Sequence, residues 1–257
     1  MDIIPLPAFR DNYIWLIRDG RHAAVVDPGD AAPVLDYLSC EGLRLAAILV
    51  THHHADHVGG LGALLAHGAV PVYGPFNEHI DGVSHPVAEG DTVRIDTLDL
   101  DLDVLDIPAH TAGHIAYVTR GGPPRALFCG DTLFSAGCGR LFEGSAQQLA
   151  SAMAKFAALP GDTGVYCAHE YTLSNLAFAR AAEPRNPERD AYAARCEALR
   201  AANRPTLPST IAQEKAINPF LRGNQAQIRD VVAAHAGTRP GDTAECLAAL
   251  RAWKDTF

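Results

Sequence analysis

The sequence lacks the long apolar run that a membrane span requires. No stretch of its 257 residues approaches the roughly 18 consecutive apolar positions of a transmembrane helix. The N-terminal Met1-Asp-Ile-Ile-Pro-Leu-Pro7 also lacks the basic segment followed by an apolar segment that marks a secretory signal. We therefore expect a soluble cytoplasmic protein with no membrane partner.

Paired cysteines and an excess of positive charge are also missing. The six cysteines are scattered without a Cys-x-x-Cys pair in a chain large enough to fold without disulfides, so free thiols are expected. The 21 basic residues are outnumbered by 30 acidic ones, and the resulting negative charge disfavours nucleic acid as a partner because it repels a phosphate backbone. We expect a monomer that acts on a small molecule.

The sequence does have a core-forming composition, arranged in two differently patterned parts. Apolar residues make up 48% of the chain and charged residues 20%, which is enough for a packed core. Through residue 169, short apolar runs alternate with turns and helical patterns, whereas the later residues are rich in Ala, Arg and Glu with helical periodicity. These patterns predict an α+β catalytic domain over residues 1–169 and a helical C-terminal domain over residues 170–257.

Apolar periodicity, capping residues and turn residues predict individual elements within both parts. The predicted strands include Tyr13–Ile17, His22–Val26, Leu45–Val50, Leu98–Leu105, Arg125–Cys129 and Gly164–Ala168, with a turn at Pro123-Pro124. The predicted helices include Ala31–Gly42, Val58–His67, Ser145–Leu159 with Ser145 as its cap, Asn224–Ala236 and Thr243–Lys254.

Four histidines and an aspartate lie within seven residues in Thr51-His-His-His-Ala-Asp-His57, directly after a predicted strand. We expect these side chains in a loop at the end of that strand, since a metal-binding i, i+4 pair needs a helix. Imidazole nitrogens and carboxylate oxygens suit zinc, iron(II) or manganese(II), and the lack of cysteine here argues against a closed structural zinc site. The motif predicts a catalytic metal site rather than a loop of solvated histidines.

Three further segments place an ionisable side chain after a strand-like run and small residues. They are Pro108-Ala-His110-Thr-Ala-Gly-His114, Cys129-Gly-Asp131-Thr132 and Cys167-Ala-His169-Glu-Tyr171. With the first motif they supply more candidate ligands than one ion of four- or five-fold coordination needs. This excess indicates two ions that share a bridging carboxylate.

The order T-H-x-H-x-D-H, lone His, G-D and final His resembles the metallo-β-lactamase superfamily, in which two β-sheets are sandwiched between helices. The resemblance implies two divalent ions, zinc in the first place with iron or manganese as alternatives. It implies that His53 binds neither ion. The implied ligands are His52, His54 and His110 for one ion, Asp56, His57 and His169 for the other, and Asp131 as the bridge.

Other segments resemble the glyoxalase II family, the hydroxyacylglutathione hydrolases, over essentially the whole chain. The resemblance implies hydrolysis of S-D-lactoylglutathione and other 2-hydroxyacylglutathione thioesters by a metal-bridging hydroxide, with Asp56 and Asp131 as catalytic residues. This reaction is the second step of methylglyoxal detoxification and yields D-lactate and glutathione. The segments that carry the resemblance are Asp11–Ile17, Asp131–Phe134, Gly137–Gly144, His169–Thr172, Leu207–Thr210, Asn218–Phe220 and Arg251–Asp255.

A glutathione thioester suits the residues of the C-terminal part. Its thiolate leaves without a strong general acid, because the pKa of a free thiol is only about 8.5. Arg251 and Lys254, three apart on a predicted helix, would share one face and hold the glycine carboxylate; alternatively, they form a solvated basic helix end. The implied substrate-binding residues are Arg140, Phe142, Tyr171, Arg251 and Lys254, where some relatives carry Lys and Tyr at positions 140 and 142.

Several alternatives stay open at this point. A nuclease of the same superfamily is expected to carry basic insertions, which the acidic balance argues against. A lactamase would normally be exported, and a metal-binding redox module would typically alter the His/Asp pattern and add a flavin domain. His114 either orients a metal ligand or has a structural role alone.

Overall fold

The structure is a computed structural model that describes residues 1–122 and 124–257, in two compact units. The first unit comprises Met1–Asp106 and Thr111–Gly130, and the second comprises Ile107–His110 and Asp131–Phe257. The turn predicted at Pro123-Pro124 includes residue 123, which lies outside the described residues.

The larger sheet of the first unit has six strands in the order of the sequence. Its first three strands pair antiparallel and the later pairs are parallel. The first strand was not predicted, because Pro5 and Pro7 interrupt its pattern; as an edge strand it tolerates residues that lack an N–H donor. The strands are β1 (Asp2–Ala8), β2 (Asn12–Asp19), β3 (His22–Val26), β4 (Arg44–Leu49), β5 (Val72–Pro75) and β6 (His85–Val87).

Helices α1 (Ala32–Glu41), α2 (Ala55–Val58) and α3 (Leu61–His67) follow β3 and β4 along the chain. The predicted helix over 31–42 is confirmed, and its C-terminus is closed by Gly42 in the left-handed region, at φ 63°. The helix predicted over 58–67 is divided at Gly59-Gly60. Side chains of α1 and α3 pack with those of β2, β3 and β4 in one apolar cluster.

Four antiparallel strands complete the first unit: β7 (Thr92–Ile95), β8 (Leu100–Asp106), β9 (Ile115–Thr119) and β10 (Ala126–Phe128). A short 3-10 helix over Asp96–Leu98 precedes β8, so the predicted strand begins two residues later than its pattern indicated. Burial along β8 alternates through Leu100, Leu102 and Val104 as the period of two predicts.

The second unit is mostly helical. The capping box at the start of its first helix is present, with Ser145 and Gln148 bonded reciprocally. No helix among residues 1–122 and 124–257 is long and apolar enough to cross a membrane. The elements are the paired strands β11 (Leu133–Phe134) and β12 (Gly137–Cys138), the paired strands β13 (Gly164–Tyr166) and β14 (Ser209–Thr210), and α4 (Ala146–Ala158), α5 (Thr172–Ala182), α6 (Pro187–Ala201), α7 (Ile211–Ile217), α8 (Ala226–Ala236) and α9 (Thr243–Asp255).

Candidate metal centre

The first histidine motif begins in a loop and ends in a helix. His52 and His54 follow the last residue of β4, as expected, but Asp56 and His57 lie on the single turn of α2. The prediction that the whole motif is a loop was therefore wrong for its second half. In this turn the backbone N–H of His57 donates to the carbonyl of His54.

The ligand atoms of this motif lie close together. His52 Nε2 is 3.1 Å from His54 Nδ1, and His57 Nε2 is 3.6 Å from an Asp56 carboxylate oxygen. Nitrogen ligands about 2.0 Å from one tetrahedral ion are roughly 3.3 Å apart. The observed separations are therefore those of atoms able to share an ion.

A buried carboxylate that the motif analysis missed orients two of these histidines. Asp27 accepts hydrogen bonds from the backbone N–H and the hydroxyl of Thr51, and its Oδ2 is 3.1 Å from His57 Nδ1. Because the Thr51 hydroxyl donates to Asp27, it accepts from His52 Nδ1 at 3.0 Å. The His52 ring thus carries its proton on Nδ1 and leaves Nε2 for an ion, the arrangement common among metal-binding histidines. The Asp27 carboxylate lies beside Nδ1 of His57.

The other side chains near the motif have different surroundings. Asn12, which is buried, donates to Asp56 Oδ2 at 3.0 Å and so holds that carboxylate. His53 instead places Nδ1 2.9 Å from Glu78 Oε2, and Glu78 also accepts from the hydroxyl of Thr111. The ring of buried His114 stacks on that of His52, with centroids 4.5 Å apart.

In the second unit, Asp131 presents its two carboxylate oxygens to two different histidines. Oδ1 lies 3.3 Å from His169 Nε2 and Oδ2 lies 3.5 Å from His110 Nε2. His110 Nδ1 is 2.8 Å from the carbonyl oxygen of Arg140. A carbonyl only accepts, so the His110 proton lies on Nδ1 and its Nε2 is available as a ligand.

Glycines beside Asp131 let the backbone approach closely. A Cβ atom at Gly139 would lie 1.8 Å from the Asp131 carbonyl oxygen, and real Cβ atoms are never that close. Gly130 has a φ of 47°, in the left-handed region that favours glycine. A side chain at Gly139 would displace the Asp131 backbone, and one at Gly130 would overlap the Thr51 hydroxyl and the His114 ring.

All seven predicted ligands belong to groups of three histidine and aspartate side chains that are able to hold a metal ion. No such group within the described part of the chain contains His53. The donors are imidazole nitrogens and carboxylate oxygens, which suit borderline divalent cations. The side chains present therefore fit a metal site. These donors do not determine which of the divalent metals it binds.

A cavity of about 420 Å³ adjoins His110 and Asp131 in the second unit. All five predicted substrate-binding residues line it. The phenyl ring of Phe142, 61% exposed, meets the His110 ring edge-on, and the Tyr171 ring stacks on that of His169. Other lining residues, which the motif analysis did not select as substrate contacts, are Phe134, Cys138, Gly139, Ser174 and Asn175.

Arg251 and Lys254 do not form a solvated helix end. Arg251 is only 5% exposed, and its Nη1 donates to the carbonyl of Cys138 at 2.8 Å and lies 3.4 Å from that of Gly139. Lys254 is partly buried and donates to the side-chain oxygen of Asn175. Burial lowers the pKa of Lys254 to about 8, and the charge of Arg251 adds to this shift.

Buried side chains of the helical region hold the β11–β12 hairpin, which forms one wall of the cavity. Asn218 donates to the carbonyls of Phe134 at 3.1 Å and Gly137 at 2.9 Å. Glu214 accepts from the backbone N–H of Ala136 at 2.8 Å. The Asn-Pro-Phe segment at 218–220 therefore has a structural role next to the site.

Comparison with known proteins agrees with this description. Residues 8–169 match the model of the metallo-beta-lactamase superfamily, and residues 170–257 match that of the hydroxyacylglutathione hydrolase C-terminus. The predicted two-sheet sandwich followed by a helical region is thereby confirmed.

Individual relatives match over the full length of the chain. A hydroxyacylglutathione hydrolase of Cupriavidus taiwanensis is 55% identical, with 100% of this chain and 99% of the relative covered. One of Nitrosomonas eutropha is 50% identical with the same coverage. Among solved structures, ETHE1 from Myxococcus xanthus is similar with a TM-score of 0.66 and 26% identity, covering 100% of this chain and 99% of that chain.

Proposed function

The chain belongs to the hydroxyacylglutathione hydrolases of the metallo-β-lactamase superfamily, and we propose that its principal substrate is S-D-lactoylglutathione. As a member it hydrolyses glutathione thioesters of hydroxy acids. The products for this substrate are D-lactate and glutathione. The observation that carries the proposal is the cavity that joins cationic and aromatic side chains to the candidate ligands His110 and Asp131.

We propose that two divalent ions, most simply zinc, occupy the site. His52, His54 and His110 would bind one, Asp56, His57 and His169 the other, and Asp131 would bridge them. Two of the groups able to hold an ion have the same membership as these two sets. The two carboxylate oxygens of Asp131 face different histidines, and this arrangement supports its bridging role. Iron or manganese would suit the same donors.

When bound, the ions would lower the pKa of a coordinated water and polarise the thioester carbonyl. The chain's own residues orient the reacting groups. Asn12 holds the Asp56 carboxylate, which we propose as the acceptor of the proton released by water. The thiolate product leaves unprotonated, because its pKa is within reach of neutral pH, so the reaction needs no dedicated acid.

The residues of the cavity would hold the glutathione part of the substrate. Lys254 and Arg251 at its wall, with Arg140, offer positive charge to the glycine carboxylate. Phe142 and Tyr171 supply flat apolar surface beside the histidines. Under this proposal residues 1–169 contain the ligands and the C-terminal residues 170–257 contribute Tyr171, Arg251 and Lys254 to substrate binding.

The proposal is tested by assaying the purified, metal-loaded protein on S-D-lactoylglutathione in parallel with structured RNA and a β-lactam. We expect thioester hydrolysis that is lost after chelation and restored by a divalent ion, with about two equivalents bound by elemental analysis. Negligible thioesterase activity with two metals bound would refute the substrate. A single bound equivalent in fully active protein would refute the dinuclear assignment.

We further propose a cytoplasmic location and a monomeric state. The six cysteines, all within the described residues, form no disulfide, as is usual in a reducing compartment. The monomer stays a prediction, and light scattering coupled to size-exclusion chromatography measures it directly.

A further inference from the structure

A carboxylate from the chain itself lies among the cations of the cavity. Asp255, the last residue of α9, places Oδ1 3.1 Å from Arg251 Nη2 and 3.5 Å from Arg140 Nε. The same oxygen thus faces two guanidinium groups. Both arginines line the cavity, and both are proposed above to attract the glycine carboxylate of the substrate.

We propose that Asp255 competes with the ligand carboxylate for Arg140 and Arg251. This competition sets how tightly, and how selectively, the cavity binds carboxylate-bearing thiols. A ligand carboxylate that approaches Arg140 and Arg251 must displace Asp255 or bind beside it. Displacement loses two ion pairs, and binding beside it brings two negative charges together. Either route weakens binding relative to a cavity without Asp255. The inference rests on the proposed function, because it assumes that these cations receive glutathione.

The alternative role for Asp255, orienting the arginines, is less consistent with the contacts. Arg251 is buried and already fixed by the carbonyls of Cys138 and Gly139. The separation of 3.5 Å between Arg140 and Asp255 exceeds the usual hydrogen-bond length of about 2.7–3.2 Å. A loose pair of this kind attracts without fixing geometry. Asp255 itself is 42% exposed in its side chain, so it is able to swing away into water when a ligand arrives.

The charges of the cavity explain why such a competitor matters. Arg140, Arg251 and Lys254 supply three cationic groups, and burial lowers the pKa of Lys254. Without a nearby acid, this cluster would bind many small anions and would hold the carboxylate of the glutathione product. Asp255 offsets one of the three charges, which favours a ligand that makes additional contacts over a simple anion.

The test compares Asp255→Asn with the wild-type protein in calorimetric titrations of the metal-loaded enzyme. The probes are S-methylglutathione, which is not hydrolysed, and its glycine amide, which lacks the carboxylate in question. Asp230→Asn is the matched control, since Asp230 is also a surface acid paired with an arginine, but that arginine, Arg239, does not line this cavity. It reports the effect of removing one negative charge from the protein.

We expect Asp255→Asn to bind S-methylglutathione about two- to fivefold more tightly, the range of one or two partly exposed ion pairs. The glycine amide should show no gain, and Asp230→Asn should match the wild type for both probes. Unchanged or weaker binding of S-methylglutathione by Asp255→Asn would overturn the inference and make Asp255 an orienting residue.

A gain of equal size for both probes would also overturn it, because the effect would then not depend on the carboxylate. Failure of the proposed binding site gives a different pattern. In that case the wild type would not discriminate S-methylglutathione from its amide, and Lys254→Ala would bind both probes as the wild type does.

Discussion

The lowered pKa of Lys254 predicts that substrate binding weakens as the pH rises from 7 to 9. An ordinary lysine stays charged over this range, with a pKa near 10.4. Burial brings the pKa of Lys254 to about 8, because desolvation disfavours the charged form. The ammonium is therefore fully present below pH 7 and is lost as the pH rises through 8. A carboxylate ligand loses one of its cationic partners in the same interval.

The size of the effect follows from the titration. With a pKa of about 8, the charged fraction falls from about nine-tenths at pH 7 to about one-tenth at pH 9. If a ligand binds only the charged form, its apparent Kd rises by about tenfold over these two units. Residual binding to the neutral form would make the rise smaller.

The measurement is a series of calorimetric titrations with S-methylglutathione at half-unit steps from about pH 6.5 to 9.5. Lys254→Arg is the control, because a guanidinium stays charged throughout and the ligand's own titration affects both proteins equally. We expect the ratio of the two Kd values to change about tenfold between pH 7 and 9, with the steep rise beginning near pH 8. Parallel profiles for the two proteins would refute the reasoning.

Three other substitutions test the surroundings of the metal centre. Asp27→Ala should weaken metal binding by about 10- to 100-fold in a chelator competition, because Thr51 loses the acceptor of its two hydrogen bonds and His57 Nδ1 loses the carboxylate beside it. The exposed Asp36→Ala should leave metal binding unchanged, and equal affinities of the two variants would contradict the orienting role. Asn218→Ala should lower the free energy of unfolding, measured in urea, by about 1–3 kcal/mol, because two carbonyls of the buried hairpin lose their donor. A loss no larger than that caused by the exposed Asn224→Ala would argue against this structural role of Asn218. Gly139→Ala should reduce metal content and activity together, since its Cβ would overlap the Asp131 carbonyl; full metal occupancy would show that the loop adapts.

The elements that periodicity predicted best are those with one solvent-exposed face and one buried face. Strand β8 alternates because Asp101 and Asp103 lie between the buried Leu100, Leu102 and Val104, and the helix after Ser145 carries its own cap. Strand β1 escaped prediction because prolines are read locally as breakers, while its place at a sheet edge is a property of the whole fold. The division of the helix after the histidine motif reflects adjacent glycines, one of which, Gly60, approaches the carbonyl of Pro28 closely.

The candidate ligands were accessible to sequence reasoning because four of them lie in one short motif and the others follow strand ends. The residues that orient them were not. Asp27 precedes Thr51 by 24 positions, and the acceptor for His110 is a backbone carbonyl, at Arg140, that has no side-chain signature. Glu78 likewise pairs with His53 across 25 positions. Contacts of this kind depend on how strands and loops come together, which local pattern does not encode.

The same limit applies to Arg251 and Lys254, which look equivalent by charge and spacing. The fold makes them different. Arg251 is buried and bonded to the carbonyl of Cys138, so removing it leaves a buried acceptor without its donor and disturbs the backbone next to Asp131. Lys254 bonds a side chain at the cavity wall and titrates near pH 8. Arg251→Ala should therefore lower kcat and stability as well as binding, whereas Lys254→Ala should act mainly on KM. Equal effects of the two substitutions on kcat and on KM would show that Arg251 and Lys254 act as one unit.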